Sequence, residues 1–412
     1  MKVDQRVING INKNNVLELI RQSDAISRAE LARQTQLSLP TVMKITEELI
    51  AQGIVCDYAK GKSTGGKPPK LLRFNYQAGY IIGVDIDNYR MDAILMDLKA
   101  GLVCERSHDI HAHMRGETFA DMLVRMLRTL IEESGMRKSQ ILGIGISTTG
   151  GSEAASHPSL REYLCGWGEK GLEELLARTF ELPVVFENSV YAKALGEKMV
   201  GNAANIKNFV FVDFGHEVSA AIVVDHQLYN GSHGRAGDLG HMIVEPQGYP
   251  CKCGKKGCLN TIASQRAIGE RAKEMVAALK PGEYSMMFDM VYGHVEHINF
   301  YTVIEAAENG DRKAQEILGD VVRRAGGALC GVTGILDPEV IFVSGKIVDG
   351  SRMFIRELKQ FIESGQAYGA SRVEVRTSSL GPHIGAIGAA SNVLNLFLRD
   401  GAVYDRRQAE SL

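Results

Sequence analysis

Three of the chain's seven cysteines, Cys251, Cys253 and Cys258, fall within eight residues, and His241 precedes the first of them by ten. The C-x-C-x4-C spacing runs over a loop rich in glycine and lysine. A hairpin-like return would bring the histidine back to the thiols and close a Cys3His tetrahedron around zinc. Gly254 and Gly257 let so short a loop turn tightly, and Lys252, Lys255 and Lys256 would offset the charge of three thiolates on the metal. Three incidental reduced cysteines, or one disulfide with a spare thiol, are the alternatives; clustering with the two glycines favours the metal. Four protein ligands leave no position for a water, so the expected zinc is structural rather than catalytic.

The 412 residues, 45% hydrophobic and 23% charged, suffice for two or three domains with their own cores. No apolar run approaches the roughly 18 residues of a membrane span, and the first residues lack the apolar core of a secretory signal. The expectation is a cytoplasmic protein without membrane attachment, where thiols stay reduced and clustered cysteines hold metal. The net charge of -2 conceals an asymmetry: residues 1–75 carry twelve Lys and Arg against seven Asp and Glu, so the remaining 337 residues carry -7. A small basic head on a large acidic body points to nucleic acid as the head's partner.

The head reads as a winged helix-turn-helix over residues 1–75. Val16, Leu17 and Ile20 share one face of a first helix that ends near Ser23. Ser27, with Glu30 three residues on, predicts a capping box for a second helix carrying Leu31 and Ala32 inward. After a turn at Gln36-Leu37, Ser38 caps a third helix with Pro40 at an early, tolerated position and an inward stripe of Val42, Ile45, Leu49 and Ile50. The start of that helix would enter a major groove, which nominates Ser38, Thr41 and Lys44 as residues facing DNA. A plain three-helix packing module is the alternative. The following stretch, IVCDYAKGKSTGGKPPKLLRFN, favours DNA: it reads as a two-stranded wing whose Lys60, Lys62, Lys67 and Lys70 approach phosphates, with a thin Gly65-Gly66-Lys67-Pro68 tip.

The body is α/β. YIIGVDID and MDAILMDLKAGLVCE predict paired strands, FADMLVRMLRTLIEESG an amphipathic helix and ILGIGIST a further strand. The order recurs: NFVFVDFGHEVSAAIVV gives two strands, VVRRAGGALCGVTGIL a small-residue helix and EVIFVSG another strand. Two related lobes, residues 79–190 and 191–400, are expected, with a cleft between them and a tail over 401–412. Core packing is the expected fate of the Met- and Phe-rich segment from Tyr284 to Phe300.

These residues resemble the ROK family of bacterial sugar kinases and winged-helix repressors, especially its NagC/Mlc/XylR-like repressor branch. The resemblance covers nearly the whole chain and rests on the helix-turn-helix with its GGKPPKLLRFN wing, ENSVYAKALGE, GDLGHMIVEP, CKCGKKGCLN, LDPEVIFVSG and SLGPHIGAIGAA. It implies an actin-like (ribonuclease H-like) two-lobed body, a structural zinc on His241, Cys251, Cys253 and Cys258, and a homodimer or dimer of dimers presenting two heads to a palindromic operator.

Kinase activity is not expected. Phosphoryl transfer needs close backbone approach to phosphates and a carboxylate to take the hydroxyl proton. The family's first phosphate loop, Asp-x-Gly-Gly-Thr, corresponds here to Asp85-Ile86-Asp87-Asn88-Tyr89. The second, Gly-Thr-Gly-x-Gly, corresponds to Gly215-His216-Glu217-Val218-Ser219, which sets an anion where phosphate would come. Ser189 stands where the family's catalytic Asp would be. By the same resemblance a sugar or sugar-like effector would meet Asn188, Ser189, Asp238, His241 and Asn260, where the kinases carry Asn, Asp, Glu, His and Glu; an orphaned cleft that no longer binds a sugar is the alternative. Trp167 matches the family's Leu-x-Gly-Trp segment, while Tyr163 replaces its usual Asn. Asp238 could instead simply orient the His241 loop. The resulting expectation is a DNA-binding repressor of carbohydrate-utilisation genes with an inactive kinase-like body; a sugar kinase with an appended DNA-binding head is the alternative.

Overall fold

The computed structural model describes residues 5–60, 70–87, 90–110, 117–148, 168–365 and 373–399. Helix α1 (Gln5–Gln22) buries Val16, Leu17 and Ile20 and begins earlier than the apolar pattern from Asn12 indicated. Strand β1 (Ile26–Ser27) leads into α2 (Arg28–Thr35) and α3 (Leu39–Ala51). Ser27 caps α2 by accepting the Glu30 N–H. The Glu30 carboxylate does not complete the expected capping box; it takes Arg33 at 3.0 and 2.5 Å and Gln34 at 2.6 Å, and this pairing lowers its pKa to about 2. Gln36 ends α2 at φ 58°, a left-handed turn that sends the chain into α3. Strands β2 (Val55–Lys60) and β3 (Lys70–Phe74) pair antiparallel, and β3 also takes β1, giving the order β1-β3-β2. Arg28 Nε donates to Thr46 Oγ1 at 2.9 Å, tying the start of α2 to the buried face of α3.

Two five-stranded sheets follow, built to one plan. The first holds β4 (Tyr80–Ile86), β5 (Arg90–Asp97), β6 (Leu102–Asp109), β7 (Ile141–Thr148) and β8 (Val184–Asn188) in the order β6-β5-β4-β7-β8. The second holds β9 (Phe209–Phe214), β10 (Val218–Val224), β11 (Gln227–Leu228), β12 (Val340–Ser344) and β13 (Glu374–Thr377) in the order β11-β10-β9-β12-β13. In each, the first three strands in sequence run antiparallel and the last two join parallel to the first. The antiparallel pairs need only short turns, whereas the parallel additions require crossovers, which are the helices α4 (Glu117–Ser134) and α5 (Gly168–Phe180) in the first sheet.

The contacts divide the chain into two units, each with its own core. The first unit takes the described residues up to 148, 168–192 and 385–399; the second takes those from 193 to 384. This differs from the partition at 191–400. The helix Ile384–Arg399 belongs to the first unit from Gly385 onward because β4 and β7 carry glycine where it lies against them. A Cβ on Gly83 would stand 1.9 Å from the Ala386 carbonyl oxygen, and one on Gly145 would stand 2.0 Å from that of Ala389. Backbone therefore packs on backbone, an approach that no side chain permits. The segment from Tyr284 to Phe300 is also corrected. Met287, Ile298 and Phe300 are buried as expected, but Tyr284, Phe288 and Tyr292 are exposed because the chain there makes single helical turns, with Tyr292 itself left-handed at φ 52°.

Gly145→Ala is expected to destabilise by about 3 kcal/mol or more, since a backbone carbonyl cannot rotate away as a crowded side chain can. Gly10→Ala, with nothing within 4 Å of its Cβ on exposed α1, is the control and should gain up to about 1 kcal/mol. Urea unfolding of both variants checks the pair.

Candidate functional site

Among the described residues one group has the composition and proximity of a transition-metal site. The ligand atoms of His241, Cys251, Cys253 and Cys258 all lie within 4.8 Å of one another. Cys251 Sγ is 3.7 Å from His241 Nδ1, and Cys253 Sγ is 3.6 Å from Cys258 Sγ. A tetrahedron with Zn–S bonds of about 2.3 Å has S···S edges of about 3.8 Å, close to these two separations. Burial, with the adjacent thiols, pushes the Cys258 thiol up to about 12, while a backbone hydrogen bond from Lys255 lowers that of Cys253. Three sulfurs this close cannot all ionise without a compensating cation.

The loop's backbone explains the gathering. Ile243 bridges to Cys258 and Pro250 to Lys256, both antiparallel, which is the hairpin-like return that brings His241 back to the cysteines. Gly257 sits at φ 68°, and a Cβ there would lie 1.5 Å from the Glu245 carbonyl oxygen, so this position accepts only glycine. From the long helix Arg312–Leu336, Arg324 donates to the Val244 carbonyl at 3.2 Å and to the Glu245 carboxylate at 3.0 Å.

The residues expected to meet an effector divide between the two units: Asn188 and Ser189 lie in the first, Asp238, His241 and Asn260 in the second. In the first, Asn188 ends β8 and its Oδ1 accepts the Val190 N–H at 3.1 Å, capping α6 (Ser189–Met199), whose first residue Ser189 is buried. Ser147 donates to Asp85 at 2.7 Å, and a Cβ on Gly385 would stand 2.1 Å from the Asp85 carboxylate. Glu187, which sequence reasoning passed over, is raised in pKa by burial while accepting the Asn188 N–H at 2.8 Å. In the second unit, Asp238 is exposed and its carboxylate pairs with Arg235 at 3.1 Å, while its backbone carbonyl accepts the His241 N–H at 3.0 Å. Asn260 is buried, and its Oδ1 accepts the Val218 N–H at 2.7 Å. It lies so close beneath Gly240 that a Cβ there would come within 2.5 Å of both its amide atoms. Glu217, in the turn between β9 and β10, forms an ion pair with Lys252 of the cysteine loop. Asn88, Tyr89, Tyr163 and Trp167 lie outside the described residues.

On the head, Ser38 accepts the Thr41 N–H at 3.3 Å and shares a 2.8 Å hydroxyl hydrogen bond with Thr41 Oγ1. Lys44 is exposed on the same helix. Lys70 opens β3 and is paired with Asp57 at 2.7 Å across the wing, while remaining largely exposed. Lys60 ends β2; Lys62 and Lys67 lie outside the described residues. Leu39 and Met43, which sequence reasoning did not single out, are 46% and 44% exposed on α3. The signal was present: positions 39 and 43 fall off the Val42, Ile45, Leu49 stripe.

A basic helix-turn-helix with a wing, joined to two sheets of one plan and a Cys3His loop, defines a regulator built on a kinase-like body. The ROK family profile matches residues 81–395 and a winged helix-turn-helix DNA-binding profile matches residues 11–55. The chain belongs to the ROK family. It is 31% identical over 356 residues to a xylose repressor of Caldicellulosiruptor bescii, covering 85% of this chain and 87% of the relative. It is 26% identical to the DNA-binding transcriptional dual regulator NagC of Escherichia coli, over 95% of this chain and 94% of that one. The crystal structure of a ROK family transcriptional regulator, a homologue of the E. coli MLC protein, superimposes with a TM-score of 0.78 at 25% identity, covering 96% of this chain and 98% of its own. A ROK glucokinase from Streptomyces griseus reaches 0.65 at 25% identity, but 99% of its length accounts for only 76% of this chain. No helix among the described residues is long and apolar enough to cross a membrane.

Asn260→Ala would strand the buried Val218 N–H and is expected to cost about 1–3 kcal/mol. The loss should appear in unfolding experiments with no ligand present, whereas a residue that serves only an effector would leave the apo-protein's stability unchanged.

Proposed function

We propose that the protein is a cytoplasmic DNA-binding repressor of carbohydrate-utilisation genes whose body senses a sugar or sugar derivative and no longer phosphorylates it. The observation that carries this reading is the head: a Ser38-capped α3 followed by paired strands, with a surplus of five positive charges over residues 1–75. Ser38, Thr41 and Lys44 would face the major groove, and Lys60, Lys62, Lys67 and Lys70 would hold phosphates. The Lys70 pair with Asp57 is exposed, so exchanging that partner for a phosphate costs little. Two heads in a homodimer, or in a dimer of dimers, would meet a palindromic operator.

The absence of catalysis is read from how the relevant groups are spent. Asp85 bonds Ser147, Glu217 places a carboxylate in the β9–β10 turn and pairs with Lys252, and Ser189 offers a hydroxyl where a base is required. The names of the relatives, a xylose repressor and an N-acetylglucosamine repressor, support a pentose or amino sugar as the effector class. Asn188, Ser189, Asp238, His241 and Asn260 remain the candidates for contact with it. His241, Cys251, Cys253 and Cys258 would hold a structural zinc, which cross-links the loop when bound and leaves no coordination position for a substrate.

The second reading, a sugar kinase with an appended DNA-binding head, draws on the likeness to the glucokinase. DNase footprinting of the purified protein on DNA flanking its own gene separates the two. A protected inverted repeat is expected, and a folded protein that protects nothing while forming ADP with a sugar would establish the kinase.

Replacing both Lys67 and Lys70 with Ala should weaken binding to all duplexes alike and flatten the log affinity versus log salt slope by about 2. Lys44→Ala should change sequence preference instead; equal behaviour of the two variants in salt titrations would refute the division between helix and wing. Metal analysis should find one zinc per chain in the wild type and less in Cys253→Ser, with a lowered melting temperature.

A further inference from the structure

The outward face of α3 is apolar at its first turns. Leu39 and Met43 are 46% and 44% exposed, while the helix buries Val42, Ile45, Thr46 and Leu49 on its other side. The two positions are four residues apart, so their side chains stand together, with Cβ atoms about 5–6 Å apart along the axis. Folding leaves nearly half of each of these apolar side chains in water. The hydroxyls beside them are already used: Ser38 Oγ caps the helix at Thr41 N–H and bonds Thr41 Oγ1. Exposed Lys44 adds a cation beside Met43.

We propose that Leu39 and Met43 read thymine methyl groups in the major groove, so that each operator half-site carries two thymines one or two base steps apart at the positions α3 covers. This rests on the regulator reading above. Of the groups that the four base pairs present in the major groove, the thymine C5-methyl is apolar; all others are hydrogen-bond donors or acceptors. Setting Leu39 or Met43 against a G·C edge would strip water from polar atoms and return no hydrogen bond. Against a thymine, methyl packs on side chain and both lose water. Four residues of helix rise about 6 Å, and base pairs stack about 3.4 Å apart, which fixes the spacing. The positive surplus of the head is complementary to the phosphates flanking such a site and holds α3 in the groove.

The test uses the full-length protein. Its preferred duplex is first selected from a random library. Each half-site thymine is then replaced singly by deoxyuridine, which removes the methyl and keeps every hydrogen-bonding group. Wild type should lose about three- to tenfold in affinity at two such positions. Leu39→Ala should erase the penalty at one of them and Met43→Ala at the other. Both variants should keep the wild-type melting temperature, since both side chains are exposed. A deoxyuridine duplex bound as tightly as its thymine parent would overturn the inference and leave the regulator reading intact. So would variants that retain the full penalty, or that change the oligomeric state in sedimentation without touching it. A library from which no sequence is enriched would overturn the regulator reading and this inference together.

Discussion

The approach of four metal-ligating atoms to within 4.8 Å of one another is the constraint on which the second unit's loop depends. A stretch as rich in glycine and lysine as residues 248–257 has too few apolar side chains to build a core, and its glycines make ordering costly. What fixes it is the ring of attachments around the Cys3His group: the antiparallel bridges at Ile243 and Pro250, the Arg324 bonds to Val244 and Glu245, and the forced glycine at 257. Lys252 and Asn260 carry that order outward, one to the Glu217 carboxylate and the other to the Val218 N–H, so the β9–β10 turn is held from the same loop.

This arrangement changes the meaning of the residues around it. On a kinase body, the turn between the first two strands of each sheet must receive phosphate, and backbone N–H groups there must be left for a ligand. Here the turn of the second sheet carries Glu217 and an N–H claimed by Asn260, and in the first sheet Asp85 is bonded to Ser147 beside the close-packed Gly385. The glycine contacts and the sheet plan are set by backbone geometry and do not depend on the groups these turns carry.

Much of this was legible in the sequence, for definite reasons. The Cys3His spacing, the Ser27 and Ser38 caps and the Val42, Ile45, Leu49 stripe are local patterns, each decided by residues within a few positions of one another. The division of the body was not legible, because the membership of the helix Ile384–Arg399 depends on Gly83 and Gly145, some 240 to 300 residues earlier in the chain. Asn260 and Asp238 were read as ligand contacts from their place in a motif. In the structure Asn260 accepts the Val218 N–H and Asp238 pairs with Arg235, contacts that follow from how the loop closes, which no spacing rule encodes. Leu39 and Met43 are legible by period alone, since they fall off the Val42, Ile45 and Leu49 stripe.

The proposed regulator would transmit the presence of a sugar to DNA without chemistry. This is tested most directly by titrating pentoses, hexoses and amino sugars into the protein bound to a fluorescent duplex carrying its operator, with ATP present and ADP measured in the same samples. At least one sugar should shift operator affinity by tenfold or more, a coupling of about 1.4 kcal/mol, with no ADP formed above the sugar-free control. ADP formation that depends on a sugar, with operator affinity unmoved, would contradict the proposal.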